Sequence, residues 1–208
     1  MSLVSVPRYQ PSNHITTHHM NTLKLLSVAG GLLALLAGCV PSLQPLYTEQ
    51  DLSFDPRLVG EWCKPDPKDT WTFTKNEDDS YRLYYTDTLN RKSDCIVHLA
   101  KVKGRLFLDL FPVDSGPSDK NLFQMHLLPV HTFMKVREIR PKLRLASLNP
   151  DWLQRFLKEN PEAIRHETQN GRIILTAQPE ELQVFLLQHE ANEEAWLNLL
   201  DLNLKRSN

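Results

Sequence analysis

Trp71-Thr72-Phe73-Thr74, Tyr81-Arg82-Leu83-Tyr84-Tyr85-Thr86 and Cys95-Ile96-Val97-His98-Leu99-Ala100 decide the fold class. In each run one side chain in two is large and apolar, and the runs are rich in aromatic and β-branched residues. That period belongs to half-buried strands. The connections at 64–68, 76–79 and 88–92 are short and polar. Lys103-Gly104 separates two further apolar runs, 96–102 and 105–111, as a tight hairpin turn would. This spacing predicts an antiparallel meander. The nine residues 112–120 form the longest loop, and strands are expected at 122–128, 130–138 and 142–148, with Pro129 as a bulge or edge point.

The C-terminal part is mixed. Asn149 followed by Pro150 reads as the cap and first turn of a helix, with Trp152, Leu153, Phe156 and Leu157 on one stripe and Asn160-Pro161 as its stop. A strand is expected at 172–177. Pro179-Glu180-Glu181 opens a second helix, its acids suited to the positive helix start, with Leu182, Phe185, Leu186 and His189 on one face. A third helix is expected at 192–200, with Ala195, Trp196, Leu199 and Leu200 inward. The fold class is therefore mainly β with helices, a β-rich α+β domain over 53–204. Seven to nine antiparallel strands form a barrel or strongly curved sheet, and two or three late helices pack on it.

The chain has 208 residues, 24 Lys and Arg against 25 Asp and Glu, and a net charge of −1. That balance excludes a polybasic nucleic-acid binder, so no nucleic-acid partner is expected, and the 41% hydrophobic content excludes a disordered chain. Three cysteines are too few for a disulfide-built scaffold.

Residues 25–39, LLSVAGGLLALLAGC, carry no charge. The run is too short to span a bilayer comfortably but has the length of a signal-peptide core. Met20 and Lys24 give it a short, weakly positive lead, whereas residues 1–19 are polar and proline-containing and read as a dubious extension. His14, His18 and His19 in that extension lack the acids or cysteines that would make a metal site. The ending Leu36-Ala37-Gly38-Cys39 resembles the lipobox of bacterial lipoprotein signal peptides. The resemblance implies cleavage of residues 20–38, a diacylglycerol on the Cys39 thiol and, often, an acyl chain such as palmitate on its amino group. Its partner is then the lipid bilayer, with the body facing the periplasm. Val40, rather than Asp, after the cysteine favours the outer over the inner membrane. Residues 39–52 read as lipidated cysteine and a short tether or lead-in, with Leu43, Leu46 and Tyr47 as candidates to pack on the body.

Leu58-Val59-Gly60-Glu61-Trp62 opens the first strand. Gly-x-Trp at the head of a meander resembles the first-strand signature of lipocalin-type barrels. The resemblance implies a tryptophan that closes the barrel floor and a glycine that lets it pack closely. With its PLYT-type lead-in, the whole chain resembles uncharacterised bacterial lipoproteins, a likeness that supplies no activity.

Candidate chemistry is sparse. Cys63 and Cys95 are open between a disulfide and two separate thiols. Trp62, Trp71, Tyr81 and Tyr85 are the candidate lining of a pocket for a small apolar ligand, against the alternative of plain core. His126, His131 and distant His98 fall short of a metal constellation. Asp109 between Phe107 and Phe111 is either a buried, perturbed carboxylate or an outer-face residue with exposed neighbours. Gly-x-Ser-x-Gly, phosphate-loop and HExxH patterns do not occur. No catalytic residue, metal or cofactor is expected. The leading expectation is an anchored binding module for a small apolar ligand or envelope component. Next comes a structural or assembly accessory with a filled barrel, and a hydrolase stands third.

Overall fold

The alternating runs form antiparallel hairpins, as expected. The computed structural model of the chain describes residues 39–64, 69–113 and 126–205. Strands β1 (Pro41–Ser42) and β2 (Leu52–Ser53) belong to the lead-in. They precede β3 (Gly60–Cys63), β4 (Thr70–Lys75), β5 (Tyr81–Thr86), β6 (Lys92–Val102) and β7 (Arg105–Pro112). Next come β8 (His131–Glu138), β9 (Lys142–Leu148), helix α1 (Pro150–Glu159), β10 (His166–Gln169), β11 (Arg172–Leu175), helix α2 (Pro179–Gln188) and β12 (Trp196–Leu204). Eight strands, β3 to β9 and β12, pair antiparallel in a closed ring. The last strand closes it, pairing with β9 over Trp196–Asn203 on one side and with β3 at Asn203 and Leu204 on the other.

The β6–β7 turn shows how local sequence sets register. Lys103 and Gly104 both take positive φ (49° and 81°), the geometry of the tight turn that matches strand twist. Val102 then faces Arg105, and every pair out to Cys95 and Pro112 follows.

Because side chains alternate across a strand, the wall serves two cores. Trp62, Phe73, Tyr81, Leu83, Val97, Leu99, Leu108, Leu143, Leu145 and Leu202 meet in the lumen. Ala100, Phe107, Phe133, Ala146 and Leu148 face outward, where Trp152, Leu153 and Leu157 of α1 and Leu182, Phe185 and Leu186 of α2 cover them. The wall at β6–β9 is thus apolar on both faces, which explains the near-continuous run Leu106–Phe111. The Asn149 side chain caps α1 by accepting from the N–H groups of Asp151 and Trp152 (3.0 and 3.3 Å). His189, at the end of α2, sits among Trp152, Phe156 and Phe185 with ring centroids 4.9, 4.7 and 4.7 Å away.

The third helix expected at 192–200 is a correction. Glu193–Ala195 makes one 3-10 turn and the chain then runs as β12. Leu200 and Leu202 enter the lumen core with Leu204 packed against it, and the alternating Asp201 and Asn203 mark the strand period. Of the strand expected at 122–128, residues 122–125 lie outside the described residues and 126–130 are not extended into the ladder. The strand at 172–177 ends at Leu175, and β10 pairs with it as an additional hairpin arm.

The stretch read as a tether or lead-in is built into the fold, with Leu46 in the core and Tyr47 packed against it, as expected, but Leu43 exposed. Val40, Ser42 and Leu46 are buried, Pro41 and Ser42 pair with Thr132 and His131, and Ser42 pairs in parallel with Leu175.

Candidate functional site

The lumen holds the four aromatics singled out as pocket lining, and it treats them unequally. Trp62 and Tyr81 are wholly buried, so no water-sized space adjoins their rings, and Phe73, edge to face with Tyr81, is 1% exposed. The Trp62 indole N–H donates to the Leu58 carbonyl (2.8 Å), and the Arg140 guanidinium lies 4.8 Å over its ring. Leu58, on the 3-10 turn Pro56–Leu58, enters the same core. This end of the barrel is therefore stoppered. Gly60 takes φ +138°, and a Cβ there would stand 2.9 Å from Leu204 Cδ1. Close packing at this glycine and a floor-closing tryptophan are what the lipocalin-type resemblance implies.

Tyr81 is held as a structural group. Its hydroxyl donates to the Asp55 carbonyl (3.0 Å) and accepts from the Asp55 N–H (2.6 Å), and burial pushes its pKa up to about 12. Trp71 and Tyr85 differ. They are half-buried, 5.4 Å apart, at the stretch of wall flanked by Asp69, and burial together with Asp69 and Asp87 pushes Tyr85 up to about 12.

Cys63 and Cys95 are separate free thiols. Cys63 pairs with Thr70, whereas Cys95 pairs with Leu83, which pairs with Phe73, which pairs with Gly60. The two cysteines are three strands apart in the wall, and they point to opposite faces, because Cys95 packs on the lumen core and Cys63 follows lumen-facing Trp62. A disulfide needs Cα atoms within ~7 Å. Burial, then Asp94, pushes the Cys95 thiol up to about 11, which keeps it protonated and unreactive.

The structure gathers three residues that are scattered in the sequence. His98 faces Asp109 across the β6–β7 ladder, and β8 brings His131 beside Asp109. Asp109 is fully buried on the outer wall. One of its oxygens accepts the Leu46 N–H (2.7 Å) and the other meets His131 Nδ1 (2.7 Å). Phe111 packs on the His131 ring and Tyr47 on the His98 ring, each at 4.5 Å. From the other side, Gln183 of α2 donates to the Leu46 carbonyl (2.9 Å) and to Asp51 (2.7 Å). Burial pulls the His98 pKa down. The carboxylate is thus buried as one of the two sequence readings has it, and its work is to clamp the lead-in between barrel and helix. Ser42, the strand partner of His131, donates to and accepts from Gln44 through its hydroxyl, which is not aimed at the histidine. His126 lies exposed, five residues before His131.

An open cleft of about 590 Å³ lies where the β6–β7 hairpin and β8 meet the end of α2. Buried Lys135 bonds both the carboxylate and the carbonyl of Glu190 at 2.8 Å, and Arg137 pairs with Glu193 at 2.7 Å. Its charges are matched internally, and the Glu190 carboxyl is held down in pKa chiefly by Lys135.

Leu36, Ala37 and Gly38 lie outside the described residues, as do His14, His18 and His19. Cys39 is described, half-buried against the lumen core, its thiol pKa raised by burial.

The chain matches no family model, no curated protein and no solved structure.

Proposed function

We propose that this protein is a lipid-anchored component of the bacterial envelope whose barrel is a packed scaffold and whose working part is its outer surface. The anchor rests on Leu36-Ala37-Gly38-Cys39 behind an uncharged run of signal-peptide length. The scaffold reading rests on one observation: among the described residues, Trp62, Phe73 and Tyr81 leave no accessible surface for a guest at their end of the lumen. A carrier of small apolar molecules needs a cavity of several hundred Å³ lined by such rings. Here Phe73 and Tyr81 meet edge to face at 6.3 Å, and Trp62 is bonded to the Leu58 carbonyl. That shifts the weight from ligand binder to structural or assembly accessory in the periplasm, favoured at the outer membrane.

A binding role is retained by one feature, the half-buried Trp71–Tyr85 pair, where a flat apolar group has rings to stack on.

Native mass spectrometry of the protein extracted gently from its own membranes tests both parts. The expected result is a chain starting at Cys39 with diacylglycerol and acyl mass and no further bound mass. An unprocessed chain overturns the anchor. A non-covalent cargo on an acylated chain overturns the scaffold reading and restores the carrier.

A further inference from the structure

We infer that the barrel is seated directly on the bilayer through the face formed by β1 and the loop before β8, with no flexible tether between lipid and body. This rests on acylation at Cys39. A surface-hung lipoprotein body needs slack chain after its modified cysteine, and here there is none. Val40 is already 6% exposed, Ser42 and Leu46 are at 0%, and Pro41 and Ser42 are in register with Thr132 and His131. Leu43 N–H donates to the Leu175 carbonyl (2.9 Å), so the lead-in is held from both sides. Cys39 itself packs half-buried against the lumen core, so acyl chains on it leave the protein within two residues of β1.

The surface beside that exit is apolar. Leu43 is 40% exposed, Leu127 57% and Leu128 69%. Ser42 faces His131, the first residue of β8, so Leu43 leaves the antiparallel ladder at the same point as the stretch before His131 that carries Leu127 and Leu128. Cys39 and Leu43 stand at the two ends of one short extended stretch, about 13 Å apart at ~3.3 Å per residue. That is the footprint of a few lipid molecules. Exposed leucines next to a lipid attachment point gain free energy by entering the apolar layer that the anchor already occupies. A lipid surface, rather than a protein groove, is the occupant because it is continuous with the anchor.

Hydrogen exchange on the full protein tests the seating. The acylated chain, made in a bacterial host that processes lipoproteins, is placed in vesicles of phosphatidylethanolamine and phosphatidylglycerol. It is compared with the secreted Cys39→Ala chain in solution. Intact mass first establishes diacylglycerol on Cys39; its absence overturns the anchor reading itself. With acylation present, the amides of residues 126–128 and 130 are expected to exchange about tenfold more slowly on vesicles. Leu89, 63% exposed on the β5–β6 connection, serves as the control and should be unchanged. Equal exchange at 126–130 in the two samples overturns the seating while leaving the anchor intact. Slowing at Leu89 as well shows unspecific adsorption and overturns it too. In the doubly substituted Leu127→Ser, Leu128→Ser protein, acylated and with slow exchange kept in β6 and β7, the protection at 126–130 should be lost.

Discussion

Replacing Asp109 tests the clamp on the lead-in. Its side chain is fully buried and accepts two bonds at 2.7 Å, from the Leu46 N–H and from His131 Nδ1. Asp109→Ala removes both acceptors and leaves a buried amide and a mostly buried imidazole facing a void. Each orphaned group costs about 1–3 kcal/mol, so the alanine variant should lose about 2–6 kcal/mol in all. Asp109→Asn keeps an oxygen for Leu46 and turns an NH2 towards His131, which meets it as an acceptor with its proton on Nε2. The asparagine variant should therefore lose only about 1–2 kcal/mol. Urea unfolding followed by tryptophan fluorescence gives the two values, and hydrogen exchange locates the damage. In the alanine protein the Leu46 amide should exchange far faster, while β4 and β5 stay slow. If alanine costs less than ~1 kcal/mol with Leu46 still protected, or if asparagine is as damaging as alanine, the clamp is not what holds the lead-in.

The remaining expectations are simpler. Gly60→Ala forces an L side chain to φ +138° and its Cβ to 2.9 Å from Leu204 Cδ1; a loss of about 1–2 kcal/mol in urea is expected. Adding Leu204→Ala should relieve the contact but not the backbone cost. Burial pulls the pKa of His98 and His189 down, so both stay neutral in the fold while the unfolded chain takes up protons below about pH 6.5. Stability is then full above that value and falls as pH drops through the folded pKa values. His189→Phe should shrink the difference between urea midpoints at about pH 7 and about pH 5. Intact mass should be the same with and without reductant, and in the Cys39→Ala protein a thiol reagent should label Cys63 readily and Cys95 only on unfolding, since burial keeps the Cys95 thiol at about 11.

The hairpins were legible because each rests on contiguous alternation and a local turn. Even the facing of His98 and Asp109 follows from the sequence: a two-residue turn at Lys103-Gly104 fixes every pair in β6 and β7. His131 was not legible as their neighbour, since it arrives after 112–130, where no short turn carries the register across. β12 was misread for a physical reason. A register shift between Asn198 and Leu200 changes the facing of the strand, so that Trp196 serves the outer core and Leu200 the lumen. That break imitates helical spacing over 195–200, while the clean signal, Leu200, Leu202 and Leu204 against Asp201 and Asn203, lies just beyond. Trp62, Trp71 and Tyr81 belong to the lumen core, but alternation alone does not distinguish a packed lumen from a pocket. β1 and β2 are two residues each and leave no periodic trace.

Lys205 N–H donates to the Glu61 carbonyl and its ammonium reaches the Glu61 carboxylate, 144 positions away in the chain. The ring therefore cannot be joined until its final ten residues are available. A nascent chain short of that length carries two unsatisfied sheet borders, one on β3 and one on β9, both ready to pair with a neighbouring molecule. Such long-range closure also makes the last step slow relative to hairpin formation. Premature stop codons near the C-terminus should thus be far more damaging than their position suggests, yielding aggregates rather than a slightly trimmed protein.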